Sequence, residues 1–93
     1  MSSDSGYTTL AFTETFLATF TAKDFTSADR SAILKALRLL DDDDRHPSLR
    51  VHKLEGDRRG SWSASGTRSI RITFERLDGG HKRLLTCSKH HDR

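Results

Sequence analysis

The eight residues Ser69 to Arg76, SIRITFER, constrain this chain more than any other stretch. Ile70, Ile72 and Phe74 alternate with Arg71, Thr73 and Glu75 at the two-residue period of a strand, which puts the first three on a buried face and the second three on an outer one. Such a strand needs paired neighbours, and the flanking sequence supplies them. Trp62 to Thr67 reads as a strand anchored by Trp62, with Gly66 marking a bulge or tight turn. On the other side, Leu77-Asp78-Gly79-Gly80 contains Asp-Gly, a hairpin signal, and leads into a run from Lys82 to Cys87. Leu49, Val51 and Lys53 alternate with Arg50, His52 and Leu54, predicting a further strand that ends at the charged turn EGDRRG. Strands joined by short connections imply an antiparallel meander.

The first half of the chain supplies what covers this sheet. Tyr7 to Phe12 offers Thr8, Leu10 and Phe12 on one face of a short strand. Thr13 can cap a helix with Glu14 in its first turn and Phe16, Leu17 and Phe20 at helical spacing. Ser27 is the expected cap of a second helix, with Asp29 near its positive end and an apolar stripe of Ile33, Leu34, Leu37 and Leu40. Asp41 to Asp44 oppose the dipole at the end of that helix, and Pro47 keeps His46 out of it, so it should stop between Leu40 and Asp43. The four aspartates lack the glycine and spaced ligands of a calcium loop and read as a solvated loop. The expected fold is α+β: strand, two helices, then a four-strand antiparallel meander, with helices packed on one face and the other left open. One domain spans residues 1–93, with residues 1–6 flexible.

Net charge is +3, but it is unevenly placed. Residues 1–44 carry four Lys/Arg against eight Asp/Glu, whereas residues 45–93 carry twelve against five. A basic surface built by the second half suits nucleic acid or an acidic protein partner. A membrane partner is not expected, because there is neither a basic amphipathic helix nor an apolar run long enough to span a bilayer. Cys87 is the sole cysteine, which rules out an internal disulfide and reads as a small residue packed in the sheet. With no apolar leader at the N-terminus, the expected location is cytoplasmic.

Arg71, on the outer face of a central strand, stands on a rigid platform, and its planar fork can grip a phosphate through two parallel hydrogen bonds. RNA is cut without metal when its 2′-hydroxyl attacks the adjacent phosphorus, given a base for that proton, a cation for the developing charge and an acid for the leaving 5′-oxygen. Histidine can accept or donate a proton near neutral pH, and His90 and His91 follow the last strand. Arg50, His52, Lys53, Arg68, Lys82, Arg83 and Lys89 are candidate nucleic-acid contacts, some of which must be ordinary surface charge. Trp62 reads as a packing residue rather than a base-stacking one. His52, His90, His91 and Asp92 lack the spacing of a zinc site, so neither metal nor cofactor is expected.

In order along the chain, HPSLRVHKLEG, WSAS, SIRITF and the terminal HHD follow a two-helix segment. Over roughly Thr8 to Asp92 this pattern resembles the RelE/ParE superfamily of type II toxin–antitoxin toxins, and most resembles its RelE and YoeB-like branch. The resemblance implies a ribosome-dependent endoribonuclease that cuts mRNA and is silenced in a hetero-oligomer with a cognate acidic antitoxin. It matches Arg71 to the strand arginine of the family and His91-Asp92 to its terminal histidine-aspartate; a different alignment selects His90. The chain departs from the pattern in three places. Ser63 and Ser65 stand where some relatives carry basic residues, Ser48 lies near the place of a carboxylate used as general base, and no aromatic residue follows the terminal histidine. These departures motivate an alternative, a non-catalytic module that binds an antitoxin, nucleic acid or another host target such as DNA gyrase.

Overall fold

The computed structural model describes residues 7–54 and 60–89. The lead at 1–6 expected to be flexible, most of the EGDRRG turn, and His90, His91 and Asp92 lie outside the described residues. The elements are β1 (Leu10–Phe12), α1 (Glu14–Phe20), α2 (Ser27–Asp42), β2 (His52–Lys53), β3 (Trp62–Thr67), β4 (Ile70–Arg76) and β5 (Lys82–Lys89), with single 3₁₀ turns at Pro47–Leu49 and Asp78–Gly80. Among the described residues they form one five-stranded sheet in the order β1-β5-β4-β3-β2. β1 runs parallel to β5 and every other pairing is antiparallel, so the α+β expectation holds.

β4 behaves as its alternation dictates. Ile70, Ile72 and Phe74 are fully buried, together with Ala64 of β3 and Leu84 and Cys87 of β5. Each large apolar side chain removed from water here contributes about 1.5–3 kcal/mol. α2 seats Ile33, Ala36, Leu37 and Leu40 on this core and α1 adds Phe16. Two expected stripe members differ: Leu17 is 49% exposed and Leu34 44% exposed. Each follows a buried residue by one position, and a 100° step around the helix carries it off the core face. Thr13 caps α1 by accepting from the Phe16 amide at 3.0 Å, and its hydroxyl donates to the Leu84 carbonyl at 2.8 Å, tying the helix start to β5. For α2 the cap is Thr26 rather than Ser27, because Thr26 and Asp29 close a reciprocal capping box.

Two expected strands are shorter than their alternation suggested. Pro47 opens a 3₁₀ turn that buries Leu49 and ends in Arg50 with left-handed backbone, φ 49° and ψ 47°, leaving only His52–Lys53 as strand. At the other edge, the Thr8 and Thr9 amides donate to the Asp41 carboxylate instead of to a neighbouring strand, so pairing begins at Leu10. The aspartate run is therefore not uniformly a solvated loop. Asp41 pins the approach to β1, and Asp44 holds Arg76 at 2.8 Å. Arg76 in turn lies over the Trp62 ring, 3.7 Å from its centroid, which leaves Trp62 half-buried with one ring face covered.

Register shifts interrupt β3 between Ser65 and Thr67, the bulge expected at Gly66, and β4–β5 after Thr73. In the β4–β5 connection Gly79 and Gly80 take φ 73° and 79°, backbone that favours glycine, so the Asp-Gly signal does mark the hairpin. Among the described residues no helix is long and apolar enough to cross a membrane.

Candidate functional site

The face of the sheet away from the helices carries Arg71, flanked across the strands by Ser65 of β3 and Ser88 of β5. Two short neighbours leave its guanidinium uncovered from the sides. Further along the same face Ser63 and Thr73 are buried, and beyond them Glu75 and Arg83 hold each other, which leaves Arg71 as the reachable group at this end. It opens into a cavity of about 550 Å³ whose cationic walls are Arg50, Arg68 and Arg71, with His52 beside them and Ser48 and Ser65 among the small residues between them. Among the described residues no carboxylate lines it. Among the described residues none forms an ion pair or hydrogen bond with the side chain of Arg50, Arg68 or Arg71.

Local structure explains why these residues meet. The left-handed turn at Arg50 redirects the chain and aims its carbonyl at His52, whose Nδ1 lies 3.1 Å away. A carbonyl oxygen can only accept, so Nδ1 carries the hydrogen and Nε2 of the neutral ring carries the lone pair. Arg50 is the one non-glycine residue with positive φ among the described residues, and that strained backbone sits in the cavity wall. Arg68 occupies the β3–β4 turn, which is closed by the Ser69 amide donating to Thr67 Oγ1 at 3.2 Å. His52 reaches the same face because it pairs with Ser63, itself opposite Thr73. Three guanidiniums around one concavity, with no counter-ion among the described residues, create a field that selects an anion, and their forks suit phosphate oxygens.

The other expected contacts stand elsewhere. Lys53 pairs with Trp62 on the helix side of the sheet, its ammonium 5.9 Å from that ring. Lys82 is 5% exposed, donates to Thr9 Oγ1 at 3.2 Å and lies near Asp41. Lys89 bonds Asp29 at 2.8 Å and the Asp24 carbonyl at 3.2 Å, at the head of α2. Its hydrogen bond, followed by that of the Thr26 amide, holds the Asp29 carboxyl below the usual carboxylate range. Arg83 is on the open face but is paired with Glu75 at 2.8 Å and does not line the cavity. Among the described residues no three His, Cys, Asp or Glu side chains cluster to hold a metal; His90, His91 and Asp92 fall outside that statement. Burial pushes the Cys87 thiol up despite its contact with Thr19, as suits a packed residue.

Sequence reasoning did not single out Ser48 and Thr67 as lining residues or the Arg50 carbonyl as the partner of His52. Pro47 was the available signal, since a proline at the start of a turn argues against reading Leu49 to Leu54 as one continuous strand.

No family model matches this chain, and no curated protein matches it. Its coordinates do resemble solved structures. A YoeB/ParE toxin from Agrobacterium tumefaciens superposes with a TM-score of 0.71 at 20% identity, covering 90% of this chain and 100% of that one. The RelBE2 toxin–antitoxin complex from Mycobacterium tuberculosis contains a chain that matches at 0.68 and 18% identity, over 90% of this chain and 92% of that one. The E. coli DinJ-YafQ toxin–antitoxin complex contains another, at 0.70 and 13% identity, over 87% and 90%. Two helices on a five-stranded, mostly antiparallel sheet, with β1 alone parallel, are thus the RelE/YoeB toxin fold.

Proposed function

We propose that this chain is the toxin of a type II toxin–antitoxin pair, an endoribonuclease that cuts mRNA on the ribosome without a metal. The observation that carries the proposal is the cavity in which Arg50, Arg68 and Arg71 meet no counter-ion among the described residues, beside a histidine whose Nδ1 is held by a carbonyl. Arg71 holds the scissile phosphate and stabilises the charge that grows on it, while Arg50 and Arg68 hold flanking phosphates. The 2′-oxygen bonds to phosphorus as its proton passes to a histidine, for which His52 Nε2 is suited. The bond to the 5′-oxygen breaks, and that oxygen takes a proton from His91, or His90 in the alternative alignment. The products are a 2′,3′-cyclic phosphate and a 5′-hydroxyl.

A small acidic antitoxin would neutralise this cavity, and the likeness to toxin chains solved in complex with antitoxins supports such a partner. The ribosome as target implies a cytoplasmic protein. The test is growth arrest on expression together with cleavage of mRNA by ribosomes plus purified protein. Both should be lost in Arg71→Ala, with cyclic phosphate ends on the wild-type products; a variant that cuts at the wild-type rate rejects the mechanism. Ser48 and Ser65 in the cavity wall favour one second reading, a module that binds nucleic acid or another host target without cutting. Tight RNA binding with intact RNA is its signature.

A further inference from the structure

Beside the arginine cavity lies a second pocket of about 350 Å³, between α2 and the turn that buries Leu49. Half-exposed Ala32 and Leu39 of α2 give it apolar walls, and buried Ala36 and Leu49 close its floor. The space exists because alanines stand at 32 and 36 and because the bulge at Ser65–Thr67 displaces the end of β3. Ser48, Ser65, Gly66 and Thr67 line both pockets, so the two adjoin at these small residues, the arginine cavity on one side of the end of β3 and the α2 pocket on the other. Lys35 stands exposed at the far wall. This corner of the sheet therefore carries three guanidiniums, then small residues bearing hydroxyls, then a partly apolar slot with Lys35 beside it.

We propose that the slot formed by Ala32, Ala36, Leu39 and Leu49 receives one unstacked nucleobase of a single-stranded RNA whose neighbouring phosphate sits in the arginine cavity. Single-stranded RNA is bound by cations along its backbone and by apolar surface against its splayed bases, and this corner presents the two in series. Ser65, Gly66 and Thr67 form the rim over which the base enters, so they are placed to bias which base is taken. Lys35 is placed for the next phosphate. The inference rests on the reading of the arginine cavity as an RNA-phosphate site, and it adds a subsite that makes the protein sense a base.

The test uses the full-length protein and 2′-O-methyl trinucleotides, in which the attacking hydroxyl is blocked. One series carries all three bases and the other lacks one base at each position in turn. Wild type should bind the intact trinucleotide about ten-fold more tightly than one particular abasic form. Ala32→Phe fills the slot from the half-exposed face of α2 and should abolish that difference, whereas Arg71→Ala should weaken intact and abasic forms alike. Ala32→Leu, a smaller filling, covers the case in which phenylalanine disturbs folding, which a thermal melt reads directly. Equal binding of intact and all abasic forms by wild type overturns the inference, as does full discrimination in folded Ala32→Phe. If RNA is cut but no base is sensed, the slot fails and the ribonuclease stands. If a base is sensed in a slot-dependent way and nothing is cut, the slot stands and the ribonuclease fails.

Discussion

Asp41→Ala should destabilise this protein far more than a change in a run of four aspartates normally does. The carboxylate accepts from the Thr9 amide and the Thr9 hydroxyl, each at 2.6 Å, and from the exposed Thr8 amide at 3.1 Å. The Thr9 carbonyl accepts from the Lys82 amide at 2.9 Å, and the Lys82 ammonium rests on the Thr9 hydroxyl, so the cluster fastens β1 to both α2 and β5. Hydrogen bonds to a charged group contribute about 1.5–3 kcal/mol each. Water recaptures the Thr8 amide, but the half-buried Thr9 amide loses its partner, the Thr9 hydroxyl keeps only the Asp41 backbone carbonyl at 3.0 Å, and the buried Lys82 loses a nearby anion. The expected loss is about 3 kcal/mol, read as a shifted midpoint in urea unfolding, or a fall in melting temperature on the order of 12–24 °C for a domain of this size. Asp42→Ala is the control: Asp42 is exposed at the end of α2, where negative charge opposes the dipole, and its loss should change stability by no more than about 0.5 kcal/mol. A loss below about 1 kcal/mol in Asp41→Ala, or equal effects at 41 and 42, would refute the reasoning.

The remaining expectations concern acid, the site and the sheet edge. Burial alone would raise the Asp41 carboxyl, but the hydrogen bonds from Thr9 and Thr8 and the Lys82 charge hold it below the ordinary aspartate value of 3.8. Its stabilisation is thus complete above that value and lost as pH falls through the lower folded one; an acid titration of unfolding should show this loss in wild type and a smaller one in Asp41→Ala. Arg71→Lys keeps the charge but not the fork, and single-turnover cleavage should fall about 10²-fold; an unchanged rate would mean that charge alone suffices. In the salt dependence of single-stranded RNA binding, Arg50→Ala and Arg68→Ala should each reduce the log–log slope by about 0.7, whereas Lys82→Met and Lys89→Ala should leave it unaltered. Arg76→Ala removes both the stack on Trp62 and the pair with Asp44, and should cost about 1–2 kcal/mol in thermal unfolding, less when Asp44→Ala is already present.

What the sequence determined by itself is whatever depends on neighbours a few residues away. β3 and β4, both helices, the Thr13 cap, the bulge at Gly66 and the Asp-Gly hairpin were legible because period, capping and turn chemistry are local. Arg71 was legible as an outer-face residue of a central strand for the same reason. Tertiary structure decided which charges are free. Lys89 meets Asp29, Arg76 meets Asp44 and Lys82 meets Thr9 across 60, 32 and 73 residues of chain, through pairings fixed by strand register and by where the helices land on the sheet. Arg50, His52, Arg68 and Arg71 converge because a proline-initiated turn, a two-residue strand and a β-turn all end at one corner of the sheet, a coincidence in space that no spacing along the chain encodes.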